Sequence, residues 1–193
     1  MKSQLVSYID ESSARRPPCN QEYMVCAAIL DSNDLDKVRA ELRPLLLPGQ
    51  IKLHWTDERT SRRRKMVETL SMIDSMQAVI THRSELSKKT ERYRRKCLEQ
   101  MYFELSSMGI SNVTLESRQE AQNRKDIEHI IALQGQGQGA GIRLQHVRGG
   151  DDPLLWIPDI MLGALNATYL GEDQYWNQLH DKIILNRPTP ESL

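Results

Sequence analysis

The stretch QLVSYIDESS, residues 4–13, decides how this chain is read. Val6, Tyr8 and Asp10 alternate with Leu5, Ser7 and Ile9, and both sets are largely apolar, the pattern of a central strand covered on two faces. The apolar run ends in two adjacent carboxylates, Asp10 and Glu11. An ionised acid at the rim of a core is costly unless a cation, a donor or solvent compensates it. These two residues therefore call for a partner.

Outward from that strand, EYMVCAAIL (22–30) reads as a second buried strand, and the proline-containing SSARRPPCN between them as a loop or long hairpin connection. SNDLDKVRAELRPLLL is helical up to its prolines, and IKLHW is a short extended piece. A helix over 57–75 buries Met66, Leu70 and Ile73. A strand is expected at 76–82, and a helix over 87–108 with Tyr93, Cys97, Met101, Leu105 and Met108 as its stripe. ISNVTLES (110–117) is a strand that ends, like the first, in an acid. QNRKDIEHIIALQ is a helix and IRLQHV a strand. DDPLLWIPDIMLGALNATYL is a helix with Asp152 as N-cap, Pro153 at its first position and a kink at Pro158. EDQYWNQLHDKIIL closes as a last helix. Strands alternating with helices predict a layered α/β domain whose site is built where loops leave the strand ends. One domain is expected over 1–187, with 188–193 a flexible tail.

Composition narrows the classes. The chain has 193 residues, 39% of them hydrophobic, without a long apolar span or a signal-like start, so a soluble, cytoplasmic protein with no membrane segment is expected. Its three cysteines form no C-x-x-C pair, against both a disulfide framework and a thiolate zinc site. GQGQGAG (135–141) follows a helix and lacks G-x-G-x-x-G, against a dinucleotide fold. Net charge is zero, yet Arg59–Lys96 holds twelve Lys or Arg against four Asp or Glu. Arg62, Arg64, Lys88, Arg92, Arg95 and Arg118 are the cations expected to meet a nucleic-acid backbone, the candidate partner.

The acids are the other half of that asymmetry. Asp10, Glu11, Glu116, Asp126 and Asp159 are the catalytic candidates, and Asp159 is the most informative because LLWIPDIMLGAL is apolar almost all round. Hard oxygen donors of this kind suit Mg²⁺ or Mn²⁺, and paired ions can activate water for phosphodiester cleavage. His54, on the same strand face as Lys52, is a candidate proton relay. Each residue also has a bland reading. Asp10 caps a turn, Glu116 pairs with a base, Asp126 is a solvated helix residue, Asp159 satisfies a backbone group, and His54 is a structural histidine.

SYIDES, VTLESR with NRKD downstream, and PLLWIPDIMLGAL together resemble the successive landmarks of a bacterial domain-of-unknown-function family with a ribonuclease H-like fold. The resemblance spans nearly the whole chain through short motifs. It implies a mixed sheet flanked by helices, with Asp10, Glu116 and Asp159 at the positions of metal-binding acids and Glu11 as an auxiliary acid. Ser12-Ser13 in place of Ser-Gly, WIPD in place of alanine-aspartate, and glutamate at 116 depart from that pattern. The expected function is a metal-dependent nuclease. The alternative is a catalytically inactive ribonuclease H-like binding or accessory module of a mobile-element or defence system. A third reading, acid–base hydrolysis by the carboxylates, needs no metal.

Overall fold

In the computed structural model, which describes residues 4–193, the opening strand does not stop at its acids. β1 (Leu5–Arg16) continues past Asp10 and pairs antiparallel along its whole length with β2 (Asn20–Asp31), across a turn containing a cis Pro17–Pro18 bond. Most of SSARRPPCN is thus hairpin strand. Its polar side chains are tolerated because one edge of β1 is still paired after the apolar run has ended.

α1 (Leu35–Leu42), α2 (Thr60–Met72), β3 (Met76–Glu85), α3 (Thr90–Ser107), β4 (Asn112–Glu116), α4 (Glu120–Gly135), β5 (Arg143–Val147), α5 (Trp156–Thr168), α6 (Trp176–Leu179) and β6 (Ile183–Pro188) follow. The six strands form one mixed sheet in the order β5-β4-β1-β2-β3-β6. β1 and β2, and β2 and β3, are antiparallel, whereas β1–β4, β4–β5 and β3–β6 are parallel. This is the expected single α/β domain, a mixed sheet flanked by helices. Tyr8, Met24, Cys26 and Val79 face a core shared with α1, α2, α5 and α6, and Ile9, Val25, Ile80 and Leu115 face a second core under α3 and α4. Two covered faces explain why β1 and β2 are apolar on both sides.

Two local expectations are corrected. Pro158 does not kink α5, because it lies in the first turn, where the missing N–H has no intrahelical partner to lose. Ile183 and Leu185 are not helical but pack to opposite faces as β6, since β3 offers an open parallel edge that local propensity does not reveal. The tail is also held along β3: Thr189 N–H donates to the Thr81 carbonyl at 2.8 Å, and Leu193 N–H to the Arg83 carbonyl at 3.0 Å. No helix among the described residues is long and apolar enough to cross a membrane.

Candidate functional site

Strand alternation separates the two acids that opened the chain. Asp10 stands opposite Cys26 and shares its face with α5, while Glu11 stands opposite Val25 and faces α3. The last paired residues of β1 and β4 are Ile9 and Leu115, so Asp10 and Glu116 are each one step beyond, where the two parallel strands part. Glu116 is even-numbered like Thr114 and projects to the α5 side, away from Val113 and Leu115 of the other core. α5 brings Asp159, which is buried, over the same point.

Glu11 N–H donates to Asp10 Oδ1 at 2.8 Å. Burial first, and then the negative charges of Asp159 and Glu116, push the Asp10 carboxyl up to about 8. Two basic side chains serve the other acids. Lys52 Nζ donates to Glu116 Oε1 at 2.5 Å, and His54 Nδ1 lies 3.0 Å from Asp159 Oδ1. Burial opposes the Lys52 charge, but Glu116, with Asp10 and Asp159 behind it, holds that ammonium above the ordinary lysine value. The hydrogen bond to Asp159 likewise raises His54. The side chains of Asp10, Glu116, Asp159 and His54 therefore share one face, whereas those of Glu11 and Asp126 lie on the other.

The frame around Asp159 comes from a short segment that sequence reading took only as extended. Trp55 N–H donates to Asp159 Oδ2 at 2.7 Å. The Trp55 ring lies on Gly163, where a Cβ would come within 2.1 Å of it, and Tyr175 meets it edge-on at 5.1 Å. Arg63 Nε donates to the Trp55 carbonyl at 3.1 Å. Arg62 bonds Glu58 at 3.0 Å and the Leu45 carbonyl, so it braces this segment rather than standing free as a polyanion contact. A glycine inside an apolar helix was the one available signal, because its entropic cost calls for a close approach.

On the opposite face, Arg94 gathers the remaining acids. Its Nε lies 2.7 Å from Glu11 Oε2, and its two terminal nitrogens lie 2.6 and 2.9 Å from the Asp126 oxygens. Tyr23 hydroxyl donates to Glu11, Arg118 Nη2 reaches Asp126 at 3.2 Å, and His146 Nε2 lies 3.1 Å from Asp126. Burial opposes ionisation of Asp126, but His146, Arg94 and Arg118 hold its carboxyl well below the usual range. Asp126 is thus no solvated helix residue, and Arg118 is tied to Asp126 and Glu91 rather than to Glu116. Arg94, not Tyr93, is the buried member of the α3 stripe with Cys97, Leu98 and Met101. Among the proposed backbone contacts, Arg64, Lys88, Arg92 and Arg95 are exposed.

Among the described residues no group of three or more His, Cys, Asp or Glu side chains is gathered as a metal site. The carboxylates of Asp10, Glu116 and Asp159 influence one another electrostatically, but Lys52 and His54 hold two of them. Carboxylate oxygen is the donor type that Mg²⁺ or Mn²⁺ takes, but the Lys52 and His54 contacts occupy two of these three acids.

No protein-family model matches the chain, and no curated protein does. Among solved structures it is similar to a chain in the PCNA:RNase HII complex from Archaeoglobus fulgidus, at 16% identity and a TM-score of 0.43, covering 92% of this chain and 78% of that one. It is also similar to a mutant form of Bst-RNase HIII, at 11% identity and a TM-score of 0.37, covering 93% of this chain and 68% of that one.

Proposed function

We propose that the chain is a metal-dependent nuclease whose Asp10, Glu116 and Asp159 would hold Mg²⁺ or Mn²⁺. The observation that supports this reading is the burden on Asp10, a partly buried carboxyl beside two others, with its ionised form disfavoured. A carboxyl kept in such a setting without an arginine of its own is one that a bound cation would compensate. When bound, the ion supplies activation of water and charge neutralisation at a phosphodiester. His54, with its side chain 45% exposed and anchored to Asp159, is the group placed to exchange a proton with solvent. Exposed Arg64, Lys88, Arg92 and Arg95 would meet the polynucleotide backbone, making binding steeply salt-dependent.

The test is cleavage of single-stranded, duplex and hybrid substrates with Mg²⁺ or Mn²⁺. Asp10→Asn is expected to lower the rate by about 100-fold or more. One observation favours a second reading, an inactive module that binds without cleaving: Lys52 and His54 already sit on Glu116 and Asp159. No cleavage by the parent with either metal across that panel, together with retained salt-sensitive binding, selects it.

A further inference from the structure

Beyond Pro188, the last residue of β6 paired with β3, the segment Thr189–Leu193 is tied down sparsely. Two backbone hydrogen bonds continue the ladder, from Thr189 N–H to the Thr81 carbonyl and from Leu193 N–H to the Arg83 carbonyl. Pro190 between them has no N–H to add. Two side-chain contacts complete the attachment. Buried Thr189 places its hydroxyl 2.5 Å from Nδ1 of buried His82, whose ring stacks on Tyr93 with centroids 4.7 Å apart. Arg83 N–H donates to the Ser192 hydroxyl at 2.9 Å. A short ladder interrupted by proline belongs to the parts of a fold that open at low cost.

This segment sets an acid against α3. Lys96 Nζ donates to the Glu191 carboxylate, and Lys96, with Arg92 and His82 beyond it, holds that carboxyl below the ordinary glutamate value. A cleft of about 310 Å³ lies here, lined by four basic side chains, Arg83, Lys89, Arg92 and Lys96, and by two acids, Glu85 and Glu191. The Glu191 side chain is 68% exposed, so the pair is solvated and individually weak. One carboxylate brings a single charge, whereas a polynucleotide brings one at every phosphate and gains by releasing its counterions. We infer that Thr189–Leu193 is an electrostatic strap: Glu191 stands at Lys96 beside Arg92 in the free protein and gives way when a polynucleotide phosphate takes that place. The inference rests on the reading of the exposed α3 cations as backbone contacts, and involves neither the acids across the sheet nor cleavage.

The experiment follows binding of a fluorescein-labelled oligothymidylate by anisotropy, at one pH and ionic strength, for the full chain and four variants. Glu191→Gln removes the competing charge. Thr189→Val loosens the attachment to His82 without changing charge. Glu41→Gln, at an exposed position of α1 on the other side of the sheet, makes the same charge change away from the cleft. Arg92→Glu with Arg95→Glu tests the α3 face itself. Hydrogen exchange of the Arg83, Thr189 and Leu193 amides is measured in the parent with and without the oligonucleotide. Glu191→Gln and Thr189→Val should each bind about threefold more tightly than the parent, and Glu41→Gln should bind as the parent does. Saturating oligonucleotide should speed exchange of the three amides severalfold. Binding by Glu191→Gln no tighter than by Glu41→Gln, or unchanged exchange in the oligonucleotide-bound parent, overturns the strap; loss of binding in the Arg92–Arg95 variant then leaves the face reading standing. Parent-like binding by the Arg92–Arg95 variant, or no binding by either the parent or Glu191→Gln, overturns the face reading and the strap with it. If Thr189→Val does not fold, Glu191→Gln and the amide exchange decide.

Discussion

Asp10 and Glu11 are neighbours in sequence and opposites in environment. Glu11 meets a buried guanidinium that also grips Asp126, and around them Tyr23, Arg118 and His146 complete a network in which acids and bases are matched. Asp10 meets two further carboxylates, and the bases on its side belong to Glu116 and Asp159. Arg94 supplies a fork that binds carboxylates in fixed geometry, whereas Lys52 supplies a movable point charge. The comparison teaches that this fold can neutralise its acids completely where it is braced. Across the same strand, Lys52 and His54 serve two acids, and the third, Asp10, is met by burial that disfavours its ionised form.

The largest effect should come from breaking the braced side. Arg94→Met leaves Glu11 and Asp126 buried without their cation and is expected to cost about 3–5 kcal/mol of stability, read by urea unfolding. Asp126 has a depressed folded pKa, so its contribution is fully present above the ordinary aspartate range and is lost progressively as pH falls from there through the lower folded value. The variant should therefore also show a flatter acid limb. A loss below about 1 kcal/mol would mean that the network is not what holds α3 to the sheet.

Next comes the frame of the other side. Gly163→Ala places a methyl in the Trp55 ring and should cost about 1–3 kcal/mol, with red-shifted tryptophan emission as Trp55 leaves its seat. Unchanged emission and stability would show that Trp55 does not need the glycine.

Asp10→Asn should act with the opposite sign, stabilising the metal-free protein by about 1–2 kcal/mol at pH 8. The folded carboxyl titrates at about 8 against an ordinary value of 3.8, so the folded state holds the extra proton between those limits. The parent's stability therefore falls as pH rises across that window, and the full cost is present above it. Melting curves at pH 4 and pH 8 check this, and an equal gain at both would refute it.

The smallest effect on stability belongs to the exposed cations. Arg92→Glu with Arg95→Glu should change stability by no more than about 0.5 kcal/mol. The same pair should weaken retention of single-stranded or duplex nucleic acid and reduce its salt slope. Unchanged retention would separate the basic face of α3 from nucleic-acid binding.

How far the site was legible follows from what is local. Period-two alternation is written in residues 5–11, so the two-faced strand and the separation of Asp10 from Glu11 can be read there, as can the buried setting of Asp159 in its apolar helix. Arg94 could be read only as a member of a basic helix, because a guanidinium on the Cys97–Leu98–Met101 stripe looks basic until the acids that meet it are known. Glu11 and Asp126 were grouped with the other acids for the same reason.

By itself, then, the sequence determined the order of elements from β1 to α5 and the coverage of β1 and β2 on both faces, and it left Asp10, Glu116 and Asp159 among five candidate acids. The tertiary structure alone decided which acid received which base: Arg94 from 83 residues beyond Glu11, and His54 from 105 residues before Asp159. It also made residues 183–188 a strand by presenting the edge of β3. Propensity and periodicity are properties of a few neighbouring residues, whereas compensation of a buried charge depends on what the rest of the chain packs against it.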